Sequence, residues 1–369
     1  MKNVLKIGLV GCGAFGQFCL DTFSKMDEVL LTAIMDSDKA LVKKTAAKFN
    51  TSWYTDFKKF LLRADVELVH LVTPPETHYK MGMQALRAEK HVLCEKPLAL
   101  STEQGKEMIA EAAERNLILP VNFVLRYAPV TDMVHSLIQS GIMGAPLRAY
   151  FENYATDANL DSGHWFWNKK QSGGIFVEHG VHFFDLYNYW LGDADLLWAH
   201  TEKRNSGSME DRVFCVLRHR NGAVSTHYHG FDQPPLLDRQ IHKLLFERGD
   251  VSVYGWIPQS ISVYALVDDS GLNRLEQIMQ KVPDYSKRLA ESNKRLIGRG
   301  KEFIVSHEVR FDYQDPADKL TIYRQSIQHL LRDQLKKIEN RKHKRVITEE
   351  NGLKALELAV EADNSASRL

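Results

Sequence analysis

Short apolar runs alternate with helical patterns along the first third of the chain. Residues 4–10 form an apolar run rich in β-branched side chains, and a second apolar run follows a helical stretch, over residues 29–35. A third run, over residues 66–73, is almost uninterrupted, as is typical of a parallel strand that is buried on both faces. Strands that alternate with helices need crossover connections, so the pattern predicts a doubly wound parallel sheet.

The alternation continues to about residue 122, and strand-like runs dominate after it. In the first part we predict further helices at residues 38–49, 76–88 and 102–115, and further strands near 53–54, at 91–94 and at 118–122. In the second part we predict strands at residues 147–154, 213–217, 224–228, 243–246 and 261–267. These runs indicate an α+β fold with an open, mainly antiparallel sheet.

Three helical patterns accompany the strands of the second part. One covers residues 173–190 and is expected to pack on one face of the sheet, a charged insertion at 271–299 has a helical composition, and a closing helix covers 348–365. We therefore predict two domains, an α/β domain over residues 1–122 and an α+β substrate-binding and oligomerisation domain over residues 123–369. The last helix of the second domain can pack back on the first domain.

Three glycines follow the first predicted strand at once. Gly11 permits the tight turn that leaves the strand, Gly13 lets the backbone approach a pyrophosphate, and Gly16 lets the next helix pack closely on the sheet. The start of that helix, at Ala14 and Phe15, offers main-chain N–H groups and a positive dipole end to phosphates. The motif predicts a Rossmann domain that binds a dinucleotide.

An acidic residue at the end of the second predicted strand bears on which dinucleotide is bound. Asp36 lies twenty residues after Gly16, where a carboxylate can accept hydrogen bonds from the adenosine ribose hydroxyls. It would repel a 2′-phosphate, and the next two residues are Ser37 and Asp38 instead of an arginine. We expect NAD in preference to NADP, although Lys39 could reach toward a phosphate.

Two further loops follow strands of the predicted parallel sheet, at the edge where Rossmann sheets bind ligands. Thr73 and Pro74 begin the first of these loops and are expected to contact the cofactor, and His78 suits either a cofactor contact or a structural hydrogen bond. Glu95 and Lys96 begin the second loop. A surface ion pair is one interpretation, but a lysine there can polarise a substrate oxygen and lower the pKa of a neighbouring acid–base group.

Three polar residues share one face of the predicted helix at residues 173–190. Glu178, His182 and Asp185 are spaced i, i+4 and i+7 among phenylalanine, tyrosine and tryptophan. Burying two carboxylates and an imidazole in such surroundings is costly unless they have partners or a function. They are candidate catalytic and binding residues, and the alternative is a structural network with arginine or lysine.

Composition excludes several classes of partner. The chain has 48 Lys and Arg against 47 Asp and Glu, so the net charge gives no reason to expect nucleic acid or an anionic membrane. The basic run at residues 341–345 is interpreted as a solvated connection. Four scattered cysteines form no C-x-x-C pair, which argues against structural zinc and favours a reducing compartment. We expect a cytoplasmic protein with no metal ion.

Together the motifs resemble the Gfo/Idh/MocA family of NAD(P)-dependent oxidoreductases, which includes glucose–fructose oxidoreductase and inositol dehydrogenase. The resemblance covers most of the chain, from the glycine motif through Glu-Lys-Pro to the glycine-rich segment before His182. The catalytic set usual in the family is a lysine, a histidine and an aspartate four residues before the histidine, which correspond to Lys96, His182 and Glu178. Glutamate at 178 and histidine at 179 depart from the family pattern and leave the role of this acid open.

The resemblance also implies a substrate class. It implies hydride transfer between a nicotinamide and a secondary alcohol or carbonyl of a sugar, inositol or related polyol, with His182 as the base and Lys96 beside the alkoxide. Arg126 matches an arginine that often faces substrate in the family, although Ala128 replaces the aspartate that usually follows, and Asp185 is its expected partner in binding substrate hydroxyls. Relatives of this shape commonly form homodimers or homotetramers through the open sheet.

Two other functions stay open at this point. Some relatives bind a dinucleotide and act as regulators or sensors without catalysis. Others reduce enones or compounds similar to biliverdin or dihydrodiols.

Overall fold

The computed structural model describes residues 4–63, 65–204 and 209–366. Numbered in chain order, the strands within this part are β1 Leu5–Val10, β2 Val29–Met35, β3 Ser52–Tyr54, β4 Leu68–Leu71, β5 His91–Cys94, β6 Pro146–Thr156, β7 Ala194–Lys203, β8 Glu210–His219, β9 Val224–Gln233, β10 Arg239–Phe246, β11 Gly249–Tyr254, β12 Ser260–Val267, β13 Ser286–Gly298 and β14 Lys301–Gln314. The α-helices are α1 Ala14–Phe23, α2 Lys39–Phe49, α3 Phe57–Leu61, α4 His78–Arg87, α5 Thr102–Glu114, α6 Pro129–Ser140, α7 Lys169–Ser172, α8 Val181–Leu191, α9 Asp269–Met279, α10 Lys319–Glu339 and α11 Glu349–Ala366.

The chain divides into two compact units, each assembled from separate segments. The first unit comprises Met1–Val124, His164–His182 and Arg324–Val360, and the second comprises Leu125–Gly163, Phe183–Tyr323 and Glu361–Leu369. The predicted division at residues 122 and 123 treats each domain as one continuous segment and stays a prediction. Among the described residues, no helix has both the length and the apolar character that crossing a membrane requires.

The first unit contains a five-stranded parallel sheet in the order β3-β2-β1-β4-β5. Consecutive residues Leu9 and Val10 in β1, and Leu68 and Val69 in β4, are all fully buried. Because successive side chains of a strand point to opposite faces, burial at consecutive positions requires cover on both faces. The predicted doubly wound parallel sheet is confirmed, and the loops after its strands emerge at one common edge.

The strand predicted at residues 118–122 is wrong. This segment runs beside β5, where Val92 and Cys94 donate main-chain hydrogen bonds to Ile118 and Pro120, but it forms only a single β-bridge, at Val121. Pro120 has no N–H group to donate, so a continuous ladder cannot form there. The segment nevertheless brings residue 122 next to the carboxyl end of β5.

The second unit contains a nine-stranded open sheet in the order β13-β14-β12-β11-β10-β6-β9-β8-β7. Only β6 and β9 pair in parallel, so the predicted mainly antiparallel sheet is confirmed. Aromatic residues of α8 pack on one face, where the rings of Phe151 and Phe183 stack with centroids 3.8 Å apart. Trp198, Tyr254 and Tyr264 are between 38% and 45% exposed.

The helical insertion predicted at residues 271–299 is wrong over most of its length. Helix α9 ends at Met279, and β13 then pairs with β14 as a long antiparallel hairpin. Arg299 and Gly300 connect the two strands with φ of 52° and 71°, which is the backbone of a two-residue turn that matches strand twist. Pairing along β14 outweighs the helical preference of the leucine, lysine and arginine residues in this segment.

Candidate active site

The glycine turn after β1 has two glycines that the fold itself requires. Gly11 has a φ of +99°, and a Cβ there would lie 2.0 Å from the Val72 carbonyl oxygen. A Cβ at Gly16 would lie 2.0 Å from the Gly11 carbonyl oxygen. A side chain at Gly11 would push the turn away from the main chain that follows β4, and one at Gly16 would push α1 away from the turn.

Gly13 is different, because no packing contact requires it to be glycine. A Cβ at this position would have no atom within 4 Å. Gly13 is the residue before α1, which begins at Ala14. As a glycine it has no side chain that could cap the helix. The N–H groups in the first turn of a helix lack acceptors within the helix, so the open space beside Gly13 suits an anionic group held by Ala14 and Phe15.

The carboxylate of Asp36 is held in place beside this turn. Its Oδ2 accepts the main-chain N–H of Cys12 at 2.7 Å, and its Oδ1 accepts that of Asp38 at 2.9 Å. Asp38 in turn caps α2 by accepting the N–H groups of Ala40 and Leu41. Each Asp36 oxygen has further lone pairs, which can accept hydroxyl hydrogen bonds.

The next two loops along the sheet edge are tied together by His78. This side chain is fully buried, with Nδ1 2.7 Å from the Pro97 carbonyl oxygen and Nε2 2.8 Å from the Thr73 carbonyl oxygen. Burial lowers the pKa of His78, and the two main-chain oxygens oppose that shift. The imidazole thus contacts the main chain of the loops that begin at Thr73 and at Glu95.

Lys96 and Glu178 lie 82 residues apart in the sequence and meet within the first unit. Lys96 Nζ donates a hydrogen bond to the Glu178 carboxylate and another, at 3.1 Å, to the Glu178 main-chain oxygen. Their side chains are 19% and 9% exposed, so water and salt screen the ion pair only weakly. The structure therefore brings together two of the three candidate catalytic residues.

Glu178 lies on an irregular helical turn. Residues Phe176–Gly180 form a π-helix, and regular α-helix begins only at Val181. The single α-helix predicted over residues 173–190 is wrong for its first part. Gly173 and Gly174 precede the π-helix with φ of +85° and +87°, which regular helix does not allow. π-helical turns are rare and frequently occur at functional sites.

His182 lies on the second residue of α8 and is 4% exposed. Its pKa is well below the usual range, chiefly because burial disfavours the imidazolium and also because Lys96 is positively charged. The imidazole is therefore neutral at neutral pH and can accept a proton. The ring of Phe123 meets it edge-on, with centroids 6.2 Å apart.

Arg126 and Asp185 form a buried ion pair in the second unit. Arg126 Nε donates to Asp185 Oδ2 at 2.8 Å, and Nη2 donates to Oδ1 at 2.7 Å. The guanidinium also lies over the ring of Tyr189, 4.8 Å from its centroid. Burial raises the pKa of Asp185, and the charge of Arg126 opposes the shift. The two predicted substrate-binding residues are thus hydrogen-bonded to each other.

Glu95 has two buried partners that the sequence motifs did not indicate. Its Oε1 accepts hydrogen bonds from His70 Nε2 at 2.9 Å and from Asn122 Nδ2 at 2.6 Å. The available signal was a single imidazole within the otherwise apolar strand β4. Asn122 gave no signal, because its neighbours along the chain are apolar.

Both parts of the chain match models of one protein family. Residues 5–123 match the oxidoreductase family with an NAD-binding Rossmann fold (GFO_IDH_MocA), and residues 131–242 match the GFO/IDH/MocA C-terminal domain. The chain belongs to the Gfo/Idh/MocA oxidoreductase family. The resemblance inferred from the sequence motifs is confirmed.

Several curated proteins are similar to this chain in sequence, and several solved structures are similar to it in fold. Myo-inositol 2-dehydrogenase of Thermotoga maritima is 27% identical over 229 residues, which cover 60% of this chain and 66% of the relative. The WlbA dehydrogenase of Bordetella pertussis, solved with NADH and UDP-GlcNAcA, has a TM-score of 0.79 at 19% identity, with 100% of this chain and 97% of that chain covered. A 3-ketoreductase of Actinomadura kijaniata, solved with NADP and TDP-benzene, has a TM-score of 0.75 at 18% identity, with 98% of each chain covered.

These likenesses differ in what they establish. At such low identities the solved structures show a shared fold. The alignments with curated relatives span between 51% and 70% of the relative's own length. These likenesses therefore establish the family and the fold of this Gfo/Idh/MocA protein but not its substrate.

One group in the described part of the chain has the composition of a metal site. Cys19, His70 and Glu95 are buried, with one potential ligand atom from each within 4.8 Å of the others. The hydrogen bond between His70 and Glu95 accounts for the approach of those two side chains. Burial and the charge of Glu95 raise the pKa of the Cys19 thiol well above its usual range.

Proposed function

We propose that this member of the Gfo/Idh/MocA family is an NAD(P)-dependent oxidoreductase acting on a secondary alcohol or carbonyl group of a sugar, inositol or related polyol. The observation that carries the proposal is the contact of Lys96 with Glu178 in the unit that also buries a neutral His182. A cation beside a neutral base is the arrangement that alcohol oxidation needs. The inositol dehydrogenase among the relatives supports the substrate class.

In the oxidative direction a hydride leaves the alcohol carbon and a proton leaves its oxygen. A bound nicotinamide would supply the acceptor for this hydride. His182 accepts the hydroxyl proton, and the Lys96 ammonium stabilises the negative charge that develops on the oxygen. Glu178 orients Lys96 through its carboxylate and its main-chain oxygen. In the reductive direction His182 returns the proton.

The glycine turn and the neighbouring loops are proposed to hold the cofactor. Gly11, Gly13 and Gly16 shape the turn, and Ala14 and Phe15 supply N–H groups to the pyrophosphate. The loop residues Thr73, Pro74, His78, Glu95 and Lys96 complete the proposed cofactor set. Every member of this set belongs to the first unit.

We infer a preference for NAD over NADP. Asp36 is held by the N–H groups of Cys12 and Asp38, so its negative charge cannot swing aside without losing two hydrogen bonds. A 2′-phosphate at the adenosine ribose would meet that charge. Ribose hydroxyls, by contrast, can donate to its free lone pairs. The solved relatives with NADH and with NADP show that the fold accepts either cofactor.

The prediction that Arg126 and Asp185 bind substrate hydroxyls stays a prediction. Their polar atoms already satisfy each other in the second unit. A substrate would have to compete with this pair or replace it. The proposal therefore rests on Lys96 and His182 for contacts with the reacting alcohol.

The experiment is an assay of nicotinamide reduction with NAD and with NADP against inositols, aldoses and sugar acids. The variant His182→Ala is expected to lose about 10²–10⁴-fold in kcat, as for removal of a general base, while NADH affinity is retained. His200→Ala is the control, because His200 of β7 belongs to the second unit, where it pairs with Glu202 and stacks on Trp198. Equal activity of the wild-type chain and His182→Ala would overturn the assignment.

A second result would change the class of function. Tight NADH binding without turnover of any compound on the panel would favour a dinucleotide-binding regulator. Turnover of a conjugated enone, such as a biliverdin-like compound, in place of polyols would favour a reductase.

A further inference from the structure

A buried polar cluster lies beneath the loop that carries Lys96. It consists of His70 from β4, Glu95 from the residue after β5, and Asn122 from the segment beside β5. His70 is fully buried, Asn122 is 1% exposed and Glu95 is 7% exposed. The other residues of β4 are leucine and valine, so an imidazole at this position has to be compensated by a specific contact.

That contact is to one oxygen of Glu95. His70 Nε2 and Asn122 Nδ2 both reach Oε1, at 2.9 and 2.6 Å. The main-chain N–H of Glu95 also donates to the Leu71 carbonyl oxygen of β4 at 3.0 Å. The residue immediately before Lys96 is therefore held through its side chain and its backbone.

The geometry indicates which nitrogen of His70 acts as a donor. Nε2 faces the Glu95 carboxylate at 2.9 Å, and a carboxylate oxygen accepts hydrogen bonds. Among the described residues, no hydrogen-bond partner reaches His70 Nδ1. On the side of α1, the Phe23 ring packs 5.5 Å from the imidazole. The N–H at Nε2 is thus the group through which His70 holds Glu95.

The residue after Lys96 is held from the other side. Pro97 presents its carbonyl oxygen to His78 Nδ1 at 2.7 Å, and the same ring contacts the Thr73 loop through Nε2. Two buried histidines therefore bracket Lys96, one acting through Glu95 and one through Pro97. Between them, the main chain of Lys96 has little freedom to move.

We propose that His70 is a positioning residue for hydride transfer, because it fixes Glu95 and thereby the place from which Lys96 reaches the reacting oxygen. His78 is its counterpart on the far side of the lysine. This inference rests on the proposed function. A displacement of a catalytic group by about 1 Å can cost on the order of a hundredfold in rate. The contact of His70 with Glu95, the residue before Lys96, is therefore expected to affect kcat.

The first test compares two substitutions of His70. His70→Leu removes the donor and is expected to lower kcat about tenfold to a hundredfold, with KM for the polyol little changed. His70→Gln keeps an amide donor that can reach Glu95 and is expected to recover most of kcat. The matched control is His91→Leu, because His91 lies at the opposite end of β5 and its Nδ1 accepts the N–H of Ile118. Thermal unfolding of all three variants reports stability separately.

The second test asks whether His70 acts through Lys96. In a double-mutant cycle, His70→Leu is expected to cost much less kcat in a Lys96→Met background than in the wild-type chain. Equal losses in both backgrounds would overturn the proposal, and so would a kcat that falls only in proportion to lost folded protein. Equal loss for His70→Gln and His70→Leu would overturn the role of the Nε2 donor.

Failure of the proposed function would look different. If the wild-type chain binds NADH but turns over no polyol, the proposed function fails, and the state of His70 is then read by ¹⁵N NMR of labelled histidine. A proton on Nε2, with its signal absent in His70→Leu, supports the hydrogen bond to Glu95. A ring whose only proton is on Nδ1 contradicts it.

Discussion

Arg126 and Asp185 meet through two hydrogen bonds at a place where their side chains are 6% and 2% exposed. Removing one member would leave the other as a buried charge with fewer partners. We expect Arg126→Ala to lower the free energy of unfolding by about 3–5 kcal/mol, the usual cost of breaking a buried pair. The paired replacement Arg126→Met with Asp185→Leu is expected to cost less than either single change. Urea unfolding at pH 7 measures both.

An exposed ion pair of the same unit provides the control for that prediction. Lys281 and Asp132 are 51% and 57% exposed, so Lys281→Ala is expected to change the free energy of unfolding by about 0–1 kcal/mol. If Arg126→Ala costs no more than Lys281→Ala, the buried pair opens readily. In that case Arg126 and Asp185 are available to a substrate after all.

Individual residues also show what a sequence pattern can and cannot reveal. The requirement for glycine at Gly11 and Gly16 follows from a local turn, and the structure shows the main-chain contacts behind it. The partner of a charged residue is not local. Lys96 and Glu178 are 82 residues apart, and spacing alone placed Glu178 on a helical face without naming the cation that meets it. Family resemblance linked the two residues, because related chains share a fold.

At the scale of elements, the periodicity of apolar positions predicted secondary structure reliably, and the helical preference of individual residues did not. The apolar runs that became β1 and β4 are buried on both faces over consecutive residues, and so is the end of β2, from Ala33 to Met35. Residues 286–298 are rich in residues with helical preference but pair along β14 instead. The neighbouring strand β14, which itself pairs with β12, decides this case. The π-helix at Phe176–Gly180 likewise depends on packing around the preceding glycines, which no periodicity reports.

The sheet face under α8 carries an element-scale prediction about pH. His219, His227, His229 and His242 from β8, β9 and β10 are all buried on this face, which we call the histidine face. His219 Nε2 and His227 Nε2 share the hydroxyl of Ser225, at 2.8 and 3.1 Å. Burial, the largest cause in each case, lowers the pKa of His229 and of His242 to about 3.

These histidines are expected to destabilise the folded chain in acid. Above pH 6.5 both states keep the rings neutral, and the full stability is present. As the pH falls below about 6.5, the unfolded state binds protons that the folded state excludes. Each such histidine then costs about 1.4 kcal/mol per pH unit until the folded pKa near 3 is reached. Between pH 7 and pH 5, we expect His242 alone to account for a loss of about 2 kcal/mol in urea unfolding.

Replacement of one ring tests that slope. His242 packs 4.7 Å from the ring of Phe151, so His242→Phe keeps an aromatic ring in the layer and removes the titrating group. The fall in stability between pH 7 and pH 5 should become shallower by the amount assigned to His242. A slope unaffected by His242→Phe would show that the acid sensitivity arises elsewhere.

At the scale of the whole molecule, the chain contributes to each compact unit more than once. Glu178 and His182 belong to the first unit although the chain has already passed through part of the second by that point. A boundary drawn between residues 122 and 123 would therefore separate the proposed base and its acidic neighbour from the glycine turn. Composition along the chain changes little at these crossings, so sequence reasoning has no local feature from which to infer them.

The face of the nine-stranded sheet opposite the histidine face supports the last prediction, which concerns assembly. Strand register places Trp198, Leu245, Tyr254 and Tyr264 on this one face, and they are 42%, 37%, 45% and 38% exposed. Exposed apolar and aromatic side chains that share one sheet face are candidates for an interaction site. We expect homodimers or homotetramers by light scattering after size exclusion, and Trp198→Glu with Tyr254→Glu should shift the mass toward that of one chain. Leu62→Glu adds the same type of charge at a residue of the first unit that is 82% exposed, and it should leave the mass unchanged. A wild-type mass of one chain at high concentration would contradict the prediction, because the exposed aromatic side chains would then lie in no interface between two sheets.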